Sequence, residues 1–197
     1  MSRATLAFDR VACARGGRLL FENLGFSLGP GDAGLVTGPN GVGKSSLLRV
    51  AAGLLDTAAG SVLREGRIAL ADENLALDLQ RPLAEALLFW ARLDGRASAV
   101  ADALDRVGLD RLADVPVRML STGQRKRATL ARVIAGGADI WLLDEPANGL
   151  DSEALERLTE AMAAHRANGG IVLAASHQPV GLENGITIPL AANGVEA

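Results

Sequence analysis

Four short stretches carry residue types that do phosphate chemistry. "GPNGVGKS" (38–45) fits G-x-x-x-x-G-K-[ST] at every fixed position. Glycines at 38, 41 and 43 let the backbone curl so that several N–H groups face one anion, joined by the partial positive charge of the helix that follows. The cradle comprises Gly38, Pro39, Asn40, Gly41, Val42, Gly43, Lys44, Ser45 and Ser46; Lys44 is expected to bridge terminal phosphates and Ser45 to ligate Mg²⁺. "IWLLDE" (140–145) is an apolar strand ending in two acids. Asp144 can hold the metal's water shell, and Glu145 can take the proton of an attacking water. His177 follows the apolar run "IVLAAS", where a polar side chain can reach a γ-phosphate. "LSTGQ" (120–124) is a second helix start suited to an anion, although one nucleotide needs one cradle.

These residues need a scaffold that alternates strand and helix. "ATLAFDRV" and "NLGFSLG" alternate apolar with polar, and "AGLVTG" is a strand running into the glycine loop. Lys44–Ala52 has helical spacing, and "GSVLREGRIALA" reads as two short strands across a Glu-Gly turn. "PLAEALLFWARLDG" and "ASAVADALDRVG" are two amphipathic helices, and Ser121 caps a third through Ile134. The α/β rhythm then returns, with strands at "DIWLLDEP", "GGIVLAAS" and "GITIPL" and a helix over Ser152–Ala167. The expectation is one α/β domain over residues 1–197, interrupted from about Leu70 to Asp114 by a helical insertion.

Composition bounds the partners. Of 197 residues, 49% are hydrophobic and 22% charged, with a net charge of -3, which disfavours binding that rests on neutralising nucleic-acid phosphates. No apolar run approaches the ~20 residues of a membrane span, and the N-terminus has no signal-peptide core, so a cytosolic chain is expected. The single Cys13 excludes an internal disulfide and a multi-cysteine metal site; it is expected to be a small hydrophobe on a strand. There is no C-x-x-C-H, so the chain is not itself a cytochrome. The "RKR" at 125–127 and His165 are expected on solvated faces.

Glycine loop, helical insertion, LSTGQ, "LLDE" and a histidine after a strand come in the order of the ABC-transporter ATPase subunits, which the chain resembles from about Ala4 to Leu190. The resemblance implies an ABC-type P-loop NTPase with a mixed or parallel sheet core, a β-rich N-terminal part and a helical subdomain. It implies a homodimer in which Ser121, Gly123 and Gln124 of one chain meet ATP held by the other, Thr122 standing where the family has glycine. It further implies that Asp151 in "NGLD" sits at the subunit interface and that His177 is the switch histidine. Arg15 takes the place of the aromatic residue that stacks on adenine; the chain has no tyrosine. Where the family carries a metal-facing glutamine, spacing selects Glu73, with Gln80 as the alternative close to Pro82.

"DVPVRMLSTGQRKRATLARV", "LLDEPANGLD" and "GGIVLAASHQPV" also resemble the ATP-binding subunit of cytochrome c maturation, the haem-exporter type CcmA family. That resemblance implies an ATPase peripheral to the cytoplasmic face of a bacterial inner membrane. It would work with integral membrane subunits, without nucleic acid and without binding haem itself. The alternatives are the ATPase of another small-molecule transporter and a soluble nucleotide-gated interaction module.

Overall fold

A computed structural model describes residues 4–178 and 180–191. The chain order is β1 (Thr5–Arg15), β2 (Arg18–Leu28), β3 (Ala33–Thr37), α1 (Lys44–Ala51), β4 (Ala59–Glu65), β5 (Ile68–Ala71), α2 (Leu83–Leu93), α3 (Val100–Arg106), α4 (Thr122–Gly136), β6 (Ile140–Asp144), α5 (Ser152–Ala167), β7 (Ile171–Ala175) and β8 (Ile186–Pro189). β5-β6-β7-β3-β8 form one parallel sheet, and β2-β1-β4 form a separate antiparallel sheet. The two strands of "GSVLREGRIALA" therefore do not pair across their Glu-Gly turn. β4 joins β1, and β5 joins β6.

The central strands are apolar throughout because both faces of the parallel sheet are covered. Ile140 and Leu142 of β6 pack with Leu47 and Leu48 of α1 and with Leu6, Phe8 and Phe21 of the antiparallel sheet. Trp141 and Leu143, on the opposite face, pack with the cluster built from α2 to α5. Truncating one of these fully buried leucines to alanine is expected to cost about 2–5 kcal/mol.

α2 and α3 lie against α4, making a helical layer at one side of the sheet. Leu70 and Ala71, placed by sequence at the start of the insertion, belong to β5. The layer is tied to β5 by Arg132 of α4, which donates to the Leu70 carbonyl at 2.7 Å and lies 5.7 Å from the Trp90 ring centre. Burial lowers the Arg132 pKa, against the opposing charges of Asp72 and Asp94.

His165 is not a solvated side chain. Its ring stacks on Trp141 at 4.0 Å and 9°, and Nε2 lies 3.2 Å from the Asp139 carbonyl oxygen. Burial lowers its pKa, and backbone contacts at Asp139 and Ile171 oppose the shift. A polar helix in sequence here hides one ring in the layer beneath it. Cys13 is buried on β1, and burial raises its pKa.

Parallel pairing also decides where the chemistry falls. Asp144 is in register with Ala175, and Ala175 with Val36, so β6, β7 and β3 end along one line. The residues just past that line are the glycine loop, Glu145, and Ser176 with His177. In open parallel sheets this carboxyl edge is where ligands bind.

Candidate nucleotide site

The glycine loop owes its shape to backbone that other residues resist. Gly38, Gly41 and Gly43 have φ of 142°, 78° and 119°. A Cβ on Gly38 would run into the Leu190 carbonyl at the end of β8, and one on Gly43 would lie 3.2 Å from Leu20 Cβ. The loop is thus pressed between the two sheets. Lys44 opens α1 and is only 7% exposed. Its Nζ donates to the Gly38 carbonyl at 2.9 Å and the Pro39 carbonyl at 3.3 Å, and lies 3.7 Å from Glu145 Oε1. The loop and the acidic strand end therefore form one site.

Asp144 Oδ1 is buried and accepts no hydrogen bond. Burial raises the Asp144 pKa most, and Glu145 and Asp72 add to the rise; the Ser45 hydroxyl and Arg49 oppose it. A buried, unpartnered carboxylate oxygen beside a hydroxyl is a donor set that fits a hard divalent cation. Asp144 and Ser45 are the residues able to hold Mg²⁺.

Asp72 is a neighbour that sequence spacing did not reveal. Ala71 pairs with Leu143, so the next residue, Asp72, runs alongside Asp144. Its side chain is 14% exposed and lies 3.7 Å from Arg49. Glu73 is 85% exposed and lies 3.9 Å from the same Arg49 nitrogen. Gln80 lies away from both, its amide nitrogen bonded to Asp78 and its side chain to Arg118. The signal for Asp72 was its place directly after "RIALA", readable only with the register in hand.

Glu145 is held from several sides. Its φ is +46°, unusual for a residue with a side chain. Its amide donates to the Ala175 carbonyl at 2.8 Å, and its carbonyl accepts from Lys126 Nζ at 2.5 Å. Its Oε2 is 2.8 Å from His177 Nδ1 and also accepts from the His177 amide at 3.4 Å. Backbone strain of this kind, of order 1–3 kcal/mol, persists where surrounding contacts over-determine it. Asp144, Glu145, Lys44, Ser45 and His177 thus come together at one edge, from three separate parts of the chain.

The basic run after LSTGQ is not a solvated face either. Arg125 donates to the Arg118 carbonyl, Lys126 to Glu145, and Arg127 to the carbonyls of Val107 and Gly108. Burial lowers the Lys126 pKa, while Glu145 and Asp144 raise it. The three cations instead knit α4 to the segments around it.

LSTGQ opens α4 with a capping box. The Gln124 amide donates to Ser121 Oγ at 3.2 Å, and Gln124 Oε1 accepts from the Ser121 amide at 2.8 Å. This leaves the first two helical amides, of exposed Thr122 and half-buried Gly123, without an intrahelical acceptor. A Cβ on Gly123 would lie 3.2 Å from the Gly149 carbonyl, so glycine lets α4 approach the loop before α5. Asp151 is exposed and caps α5 by accepting from the Ala154 amide at 2.8 Å. Arg15 is exposed at the end of the β1–β2 hairpin, paired with Arg18.

The pattern of the ABC transporter family matches residues 21–148. The cytochrome c biogenesis ATP-binding export protein CcmA of Sphingopyxis alaskensis is 64% identical over 173 residues, covering 87% of this chain and 89% of that protein. The protein of the same name from Zymomonas mobilis is 53% identical over 187 residues, covering 95% and 85%. Among solved structures, an ATP-binding cassette of an ABC transporter in its ADP conformation aligns with a TM-score of 0.78 at 20% identity, covering 95% of this chain and 87% of that one. A bacterial Atm1-family ABC exporter with ATP bound aligns with 0.84 at 18% identity, covering 98% and 38%. At those identities the solved structures show the fold.

Proposed function

The chain belongs to the ABC transporter family and, within it, to the CcmA proteins, and on that premise we propose that two copies close head to tail around two ATP molecules to drive haem export for cytochrome c maturation. It is an ATPase coupled to transport. The observation that carries the catalytic part is Glu145, whose carboxylate lies between Lys44 and His177 beside the unpartnered oxygen of Asp144.

The loop amides of residues 38–46 and Lys44 hold the phosphates, Lys44 exchanging its loop carbonyls for phosphate oxygens. Ser45 and Asp144 would hold Mg²⁺, which would supply charge neutralisation on the transferred phosphoryl group. Glu145 takes the proton of the attacking water, and His177, 2.8 Å from Glu145, orients the carboxylate and meets the γ-phosphate. Ser121, Gly123 and Gln124 present the helix start of α4 to the partner copy's nucleotide, with Asp151 at the same face. Arg15 would stack on the adenine, and Glu73, exposed and 3.9 Å from Arg49, would stand at the place of the family's metal-facing glutamine.

No helix among the described residues is long and apolar enough to cross a membrane, so we place the transport pathway in separate integral membrane subunits, with this chain on the cytoplasmic face of the inner membrane. Phe89 and Leu93, one turn apart on α2 and 58% and 68% exposed, offer an apolar face for such a subunit. We expect this chain not to bind haem itself, and titrating haem into the protein is expected to give no saturable Soret shift.

Two experiments test this reading. Lys44→Ala and Ser121→Arg chains, each inactive alone, are expected to regain hydrolysis when mixed, because one composite site is then intact; recovery in a proven monomer contradicts the head-to-tail arrangement. Deleting the chain from its host is expected to abolish c-type haem attachment, restored by the wild type and not by Glu145→Gln. Undiminished c-type cytochromes in the deletion strain contradict the pathway.

A further inference from the structure

We propose that Lys126 is a positioning residue that ties the orientation of Glu145 to the placement of the LSTGQ helix. The inference rests on the reading of Glu145 as the base. Lys126 donates to the backbone carbonyl of Glu145 at 2.5 Å, not to the carboxylate that performs chemistry. That carbonyl belongs to a residue at φ +46° whose carboxylate meets His177 and Lys44, so the Lys126 bond on one side and these contacts on the other hold the unusual backbone of Glu145 in place. A lysine suits the task because its long stem crosses from α4 to the end of β6 while its amine still reaches a single acceptor.

The same helix grips the loop at a second point. Gly123 approaches the Gly149 carbonyl so closely that a Cβ would stand 3.2 Å from it. The first two turns of α4 therefore clamp residues 145–149 at both ends, at Glu145 and at Gly149. Ser121 and Lys126 are five residues apart, about 7.5 Å along a helix, and move as one body. An anion that settles on the free amides of Thr122 and Gly123 shifts this body, and the shift reaches Glu145 through Lys126. In this way the nucleotide bound on a partner's loop adjusts the base of the chain that contributes the helix, so the two sites of a dimer communicate through one half-buried amine.

The test is steady-state ATP hydrolysis by the full chain. Lys126→Met keeps the apolar stem and removes the donor. It is expected to lower kcat roughly 10–10²-fold, the effect of displacing a catalytic group by about an ångström. KM for ATP and the thermal midpoint should stay near those of the wild type, and Lys126→Arg should restore most of kcat. Unchanged kcat in Lys126→Met, or an equal loss in Lys126→Arg, overturns the proposal. Should Lys126→Met not fold, Lys126→Gln, whose donor is too short to reach, carries the same test: a fall in kcat at constant KM supports the proposal, and an unchanged kcat overturns it. Glu145→Gln is measured beside them. If it loses hydrolysis while Lys126→Met keeps it, only the positioning role fails; if Glu145→Gln itself is fully active, the reading of the base fails instead.

Discussion

α1 and α4 both start beside glycines, and their starts are built in opposite ways. The start of α1 has no side-chain cap, three glycines at positive φ and a lysine buried within the curl. The start of α4 is capped by Ser121 and Gln124, has Gly123 in ordinary helical backbone, and stays exposed. The first curls around a buried lysine, with Pro39, Asn40 and Gly41 exposed at its tip; the second meets part of its own hydrogen-bonding need through its cap. A helix start that is strained and enclosed is a site within one chain. One that is relaxed and exposed holds itself stable until another molecule arrives. On the head-to-tail reading proposed above, the first start takes the chain's own nucleotide and the second a partner's.

The largest expected effect falls on the enclosed site. Glu145→Gln should keep ATP binding and lose hydrolysis by ~10²–10⁴-fold, the usual contribution of a positioned base. Single-turnover hydrolysis at the wild-type rate would remove Glu145 from that role.

Gly41→Ala and Gly123→Ala sharpen the contrast at intermediate size. Gly41 has open space around its α-carbon and φ of 78°, so alanine there brings backbone strain of ~1–2 kcal/mol and should weaken ATP binding by the isolated chain. Gly123 has no such strain, and alanine in a helix gains up to ~1 kcal/mol of propensity, offset by the contact with Gly149. Gly123→Ala should leave ATP affinity of the isolated chain unchanged and slow turnover. Calorimetric titration of ATP into both variants checks this, and an equal loss of affinity in the two would erase the distinction.

Asp144→Asn has its smallest effect on the stability of the nucleotide-free chain, with a sign that can be worked out. The folded chain raises the Asp144 pKa above the ordinary carboxylate value of 3.8, so the fold binds that proton more tightly than the unfolded chain does. The associated stability is present at low pH and is lost as pH rises from 3.8 through the folded pKa. At neutral pH the buried charge therefore destabilises the nucleotide-free protein. The asparagine variant should melt at a higher temperature at pH 7 than the wild type, with the gap closing on acidification, while losing Mg²⁺-dependent hydrolysis. A lower melting temperature at pH 7 would show that the carboxylate is compensated within the chain.

Local chemistry made much of this legible. The glycine spacing of 38–45, the run of apolar residues into Asp144 and the Ser121–Gln124 cap each act over a few residues, and the structure carries them where the sequence puts them. The helix over Ser152–Ala167 also falls where the sequence puts it, and the structure adds its Asp151 cap. What was illegible is long-range. Asp72 comes beside Asp144 only through the β5–β6 register, which no local pattern encodes. Lys126 and its two arginine neighbours read as a charge run, yet each finds a carbonyl on another segment. His165 looks like one more polar residue on a helix until Trp141 is brought under it. Polar side chains that are satisfied by distant backbone carry no signature in their own neighbourhood.

The claim that the exposed helix start serves a partner's nucleotide is tested most directly by the mass of the ATP-loaded chain in solution. In the Glu145→Gln background, where closure does not end in cleavage, light scattering with ATP and Mg²⁺ should give twice the 20.3 kDa of one chain, and the monomer mass without nucleotide. Adding Ser121→Arg should return the ATP-bound protein to the monomer mass without loss of ATP binding. A dimer that persists with Ser121→Arg, or a saturated ATP-bound chain that stays at 20.3 kDa before that change, would contradict the assignment.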